Sequence, residues 1–102
     1  MAKKQKPLSV LVYIEPCEDD HPDFYIAHCL EWDVVAQSVD SELDALKNLV
    51  KLMVAQRELL DEGKHEVPEP APNEYREMYE SGIPCVIGSV KFPEPVKIRK
   101  VV

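Results

Sequence analysis

Glycine is scarce, with three in 102 residues, and none lies in the clustered pattern that lets backbone amides cradle a phosphate. Cysteine is equally scarce and odd in number. Cys17, Cys29 and Cys85 are too widely spaced for a disulfide framework and fit reduced thiols. Apolar runs extend over only a few residues, so no segment is expected to span a membrane. The opening MAKKQKPLS lacks the apolar stretch of a secretory leader, and a cytoplasmic protein is the expectation. Positive charge is the minority sign: twelve Lys and Arg against nineteen Asp and Glu give a net charge of −7. That balance disfavours a nucleic-acid backbone as the primary ligand and favours a basic protein partner.

Apolar residues make up 45% of the chain and prolines number nine, the composition of one globular domain with stiff connections. Leu8, Val10, Val12 and Ile14 alternate with Ser9, Leu11, Tyr13 and Glu15, the period of a β-strand. EPCEDDHPD breaks the alternation with two prolines and a group of carboxylates, and reads as an acidic hairpin loop. From Phe24 the alternation resumes, with Phe24, Ile26, His28 and Leu30 on one face and Tyr25, Ala27, Cys29 and Glu31 on the other. Both faces carry apolar groups, so this strand is expected to be central, or covered by a helix on one side and a second subunit on the other. Glu31, Trp32 and Asp33 form a tight connection into a third short strand, VVAQS.

Ser41, followed by Asp44 three residues later, reads as a capping box. Leu46, Leu49, Val50, Met53 and Leu60 then recur at helical spacing from about Glu42 to Glu62, with Lys47, Lys51, Gln56, Arg57 and Glu58 facing water and Gly63 as terminator. EVPEPAP cannot continue a helix and is an extended connector. Asn73 is the expected cap of a short helix ended by Gly82. PCVIGSVKF and VKIRKVV follow as strands, the last expected at a sheet edge because Pro93 and Pro95 precede it. The expected domain is therefore single: a core over 8–66, a Pro-rich connector over 67–72 and a C-terminal extension over 73–102. Its expected class is α+β, a small antiparallel sheet of three to four strands with one long helix across one face, plus a short C-terminal helix and strands of which at least one joins the sheet.

Thiolate and imidazole are zinc ligands, yet adjacent His28 and Cys29 point to opposite faces of a strand, and Cys17 and His21 lack a second pair at ligand spacing. The same geometry separates a cysteine nucleophile from a histidine base. Glu15, Glu18, Asp19, Asp20 and Asp23 cluster without the spacing that organises calcium. No catalytic residue, metal or cofactor is assigned, and action by binding is expected. Trp32 reads either as folded back over the helix end or as an interface anchor.

The ordered set FYIAHCLEWDVVAQS, the capped helix SELDALKNLVKLM and EGKHEVPEP resembles the HicB-like antitoxin family over most of residues 8–70. The resemblance rests on AHCLE, VVAQ, the helix pattern of Ala45, Leu46, Asn48 and Leu49, and VPEP. It implies a truncated RNase H-like fold, a cytoplasmic toxin-antitoxin system, a small basic HicA-like mRNA interferase as partner, and a homodimer or homotetramer. Where the family has a Gly-Asp-Thr type turn, this chain reads Ser38-Val39-Asp40-Ser41, with Ser41 in the capping place. A helix-turn-helix or ribbon-helix-helix segment is not evident, so no direct nucleic-acid contact is expected. The expected partner contacts are Glu18, Asp19, Asp20 and Asp23 in the acidic loop, then His28, Glu31 and Trp32. Two other readings are a solitary self-assembling module and a small metal-dependent enzyme or ligand-binding protein.

Overall fold

A computed structural model describes residues 7–16, 23–63, 69–85 and 90–101. The first strands follow the alternation: β1 (Leu8–Glu15), β2 (Phe24–Cys29) and β3 (Val34–Ser38) form an antiparallel meander, with Val12 opposite Ala27 and Ala27 opposite Ala36. β2 is interior, as its two apolar faces imply. Asp33, in the β2–β3 turn, has φ of 50°, a left-handed conformation that Asp tolerates through local hydrogen bonding.

Helix α1 (Glu42–Asp61) starts where Ser41 is expected to start it, its hydroxyl accepting from the Asp44 N–H at 3.0 Å. Only half of a capping box forms. The Asp44 carboxylate instead accepts from the Ser38 hydroxyl at 2.7 Å, tying the end of β3 to the helix. Gly63, at φ of +69°, supplies the left-handed residue beyond the helix C-terminus. Ala45, Leu46, Leu49 and Met53 are fully buried against Val10, Val12, Ala27, Cys29 and Ile98, which makes this face the main core. Among the described residues no helix is long and apolar enough to cross a membrane.

The C-terminal part has the expected helix and strands but departs from expectation in how the strands pair. It contributes α2 (Asn73–Glu80), β4 (Ile83–Cys85) and β5 (Val96–Lys100) to a five-stranded mixed sheet ordered β3-β2-β1-β5-β4. The sheet is therefore neither purely antiparallel nor limited to four strands. β5 runs parallel to β1, with Val10 opposite Ile98: the chain leaves the sheet after β3, re-enters it at β4 after α2, and β5 pairs antiparallel to β4. β5 is interior and not an edge. Pro93 and Pro95 precede the strand and remove no ladder donor from it, and the Pro95 carbonyl even accepts from the Leu8 N–H at 2.9 Å. The edge position falls to β4, which contains Pro84. Gly82 just before it sits in a close approach, since a Cβ there would lie 3.0 Å from the Lys100 carbonyl oxygen.

The short second helix covers the other face of the sheet. α2 lies on the face opposite α1, where Leu11, Leu30 and Tyr79 are buried and Tyr13, Ala71, Tyr75 and Met78 pack around them. The second apolar face of β2 is thus met by this chain's own helix and connector, with the Ala71 N–H donating to the Leu30 carbonyl at 2.7 Å. Asn73 does not cap α2. Pro72 occupies the N-cap position and no side chain caps the helix.

Candidate partner-binding surface

Glu31 sits in the β2–β3 turn, where the sheet presents it towards α2. Its Oε1 accepts from the Ser9 N–H at 2.6 Å, and its Oε2 accepts from the Ser9 hydroxyl at 2.8 Å and from Arg76 at 2.9 Å. Arg76 also donates to the Ser9 hydroxyl at 2.9 Å. Burial alone would raise the Glu31 pKa, but the Ser9 N–H, the Arg76 guanidinium and the Ser9 hydroxyl outweigh it and hold the carboxyl below its ordinary value. Glu31 is consequently a clamp between strand, turn and helix, already engaged inside the fold.

His28 is 1% exposed and lies under α2, in edge contact with Tyr75 at 4.8 Å between ring centroids. Its Nε2 is 2.8 Å from Asp33 Oδ1, while Nδ1 is buried with no hydrogen-bond partner. Expected as a partner contact, it is an interior residue. Tyr13 completes the aromatic cluster; burial first, then the nearby Tyr75, Glu15 and Asp33, pushes its hydroxyl up to about 12. Cys29 points the other way, into the α1 core, and burial pushes its thiol up to about 11. A thiol so raised is essentially all protonated near neutral pH and is a poor nucleophile or metal ligand. Trp32 is half-buried and packs against the α1 core.

Of the expected acidic contacts, Glu18, Asp19 and Asp20 lie outside the described residues, as do Cys17 and His21. Asp23 is described and exposed, beside exposed Glu15 across the β1–β2 hairpin. The structure therefore separates the expected set: Asp23 faces solvent, whereas His28, Glu31 and Trp32 belong to the packing around the second hairpin. Among the described residues, no group of three or more His, Cys, Asp or Glu is arranged to hold a metal ion. A recess of about 470 Å³ beside β5, lined in part by Cys85, Phe92, Val96, Lys97 and Arg99, contains none of the expected contacts.

The distribution of charge was harder to foresee. All three arginines are engaged within the chain: Arg57 with Asp61 and Glu94, Arg76 with Glu31, and Arg99 with Glu80 and the Tyr79 carbonyl. Lys100 pairs with Glu42. Glu15 and Asp23 at the hairpin, and Glu74 and Glu77 on α2, are exposed and make no ion pair among the described residues. The one signal for the role of α2 was Tyr75, Met78 and Tyr79 at helical spacing, too short a stripe to assign a face. No family model, no curated protein and no solved structure matches this chain.

Proposed function

We propose that this chain is a HicB-like, antitoxin-type binding protein that occludes a small basic HicA-like mRNA interferase in the cytoplasm. The observation that carries the proposal is the charge arrangement. A chain of net charge −7 holds its arginines in internal contacts and leaves carboxylates unpaired at the hairpin end, so its outward field attracts a cationic protein. The meander β1-β2-β3 followed by a capped helix lying across it agrees with the arrangement the family resemblance implies. Asp23 and Glu15 are the described part of the contact surface, and Glu18, Asp19 and Asp20 extend it in sequence. No catalytic residue and no cofactor enter this reading.

The test is capture from native cell extract with tagged protein, repeated at high salt and with Asp19, Asp20 and Asp23 all changed to Lys. Recovery of a small basic protein, lost in salt and lost with the charge-reversed variant, is the expected result. Recovery of the same protein by wild type and variant alike would overturn the assigned surface. Finding no basic protein under any condition would overturn the antitoxin reading itself.

A further inference from the structure

Helix α2 leaves one of its sides outside the core. Glu74, Glu77, Met78 and Ser81 recur at i, i+3, i+4 and i+7, so they share a side of the helix, and with Val101 they line a recess of about 370 Å³. Its walls are of two kinds. Met78 and Val101 pack partly buried around Leu11 and Tyr79, which fixes an apolar wall, while Glu74 and Glu77 are exposed and make no ion pair among the described residues. The neighbouring cations are committed elsewhere. Arg76, the basic residue of α2, turns to Glu31 and Ser9, and Arg99 is held by Glu80 and the Tyr79 carbonyl.

We propose that this recess receives a lysine side chain of a basic protein partner, its methylene stem against Met78 and Val101 and its ammonium between Glu74 and Glu77. The lining selects this chemistry. Two carboxylates beside a thioether and an isopropyl group make a poor cage for a divalent cation, which needs a near-complete oxygen shell. Lysine instead lays an apolar stem on an apolar wall while its head stays in a polar setting. Its three rotatable donors serve two separate carboxylates, whereas arginine's rigid fork matches one. Location points to a protein as the carrier. The Val101 N–H donates to the Val12 carbonyl at 2.9 Å, so the recess opens roughly 10 Å along β1 from Glu15. Glu15 alternates onto the same face as Leu11 and Tyr13. A basic segment laid along this face meets the recess and the unpaired hairpin carboxylates together; a lone amine uses the recess only. The site adds a contact on α2 to the hairpin surface proposed above, and rests on that reading only in taking the partner to be basic.

Methyl NMR of the full chain, read at the Met78 methyl group, tests it with hexalysine as probe and hexa-2,4-diaminobutyrate as a short-stemmed counterpart of equal charge. Hexalysine should shift the Met78 signal saturably and bind roughly tenfold more tightly than the counterpart, the effect of two more buried methylenes. Changing Glu74→Gln and Glu77→Gln together, both at exposed positions, should abolish the Met78 shift with α2 still folded. The variant with Asp19, Asp20 and Asp23 changed to Lys should keep it. An unmoved Met78 signal, equal affinity for the two oligomers, a shift that survives in the double variant, or one lost in the hairpin variant would overturn the proposal. Because the probe is synthetic, none of these outcomes depends on whether cell extract yields a basic protein, so this site and the antitoxin reading fail separately.

Discussion

The two faces of the sheet are held by different forces. On the α1 face, Leu46, Leu49 and Met53 bury apolar surface against Val10, Val12, Ala27 and Cys29, a non-directional attraction proportional to area. On the α2 face the apolar patch is smaller, and position is set by directional contacts. These are Glu31 with Ser9 and Arg76, His28 with Asp33 and Tyr75, and Tyr79 between the guanidinium groups of Arg76 and Arg99 at 5.4 and 4.9 Å. A face held by area degrades gradually when atoms are removed. A face held by a few directional hydrogen bonds loosens when one partner goes, because the buried Ser9 beneath it is left without its acceptor.

The largest effect should come from the area-held face. Leu49→Ala removes a side chain with no solvent exposure and leaves a cavity, costing about 2–5 kcal/mol. Denaturant unfolding should show a lower midpoint with both helices lost in one transition. Unchanged stability would mean that α1 is not the main support of the sheet.

Next comes the clamp. Glu31→Ala leaves the Ser9 N–H and Arg76 without their acceptor, at a cost of about 1–3 kcal/mol. Hydrogen exchange should quicken in α2 and at Ala71 while α1 keeps its protection, which separates the faces. Acid probes the same clamp. Because the folded-state pKa of Glu31 lies below its ordinary value, its contribution is present above the ordinary carboxylate range and is lost as pH falls through the folded value. Protection of α2 amides, taken relative to the intrinsic exchange rate at each pH, should therefore fall on acidification in wild type, and that loss should vanish in Glu31→Gln. An identical pH response in the variant would move the titration elsewhere.

The same contrast explains what could be read from the chain. β1, β2, β3 and α1 were legible because each repeats an apolar period over enough residues to be recognised, and Ser41 marks the helix start by its own chemistry. The C-terminal half has no such redundancy: α2 has eight residues and β4 three, and their positions are set by long-range partners. Arg76 reaches Ser9 across 67 positions and Glu31 across 45, and no local pattern announces either. Pro93 and Pro95 misdirected the placement of β5, because proline limits the residues it occupies and not the strand that starts after it. His28 and Glu31 were noticed as polar residues in an apolar segment, but Glu31 is engaged by Ser9 and by an arginine 45 positions later, and His28 is covered by Tyr75 of that same helix.

Helix capping offers the finest distinction between the faces. The Ser41 hydroxyl accepts from the Asp44 N–H, so Ser41→Ala should cost about 1 kcal/mol. Asn73 resembles a cap in sequence, but it is the first helical residue of α2, behind Pro72, and no side chain caps that helix. Asn73→Ala therefore removes no capping bond, and alanine's higher helix propensity makes the change neutral or slightly stabilising, within about 0.5 kcal/mol. Thermal unfolding of the two variants side by side measures the difference. Equal losses would restore Asn73 as a cap and show α2 held by a local signal as well as by its partners across the sheet; unequal ones leave α2 dependent on Glu31, His28 and Arg99 for its place.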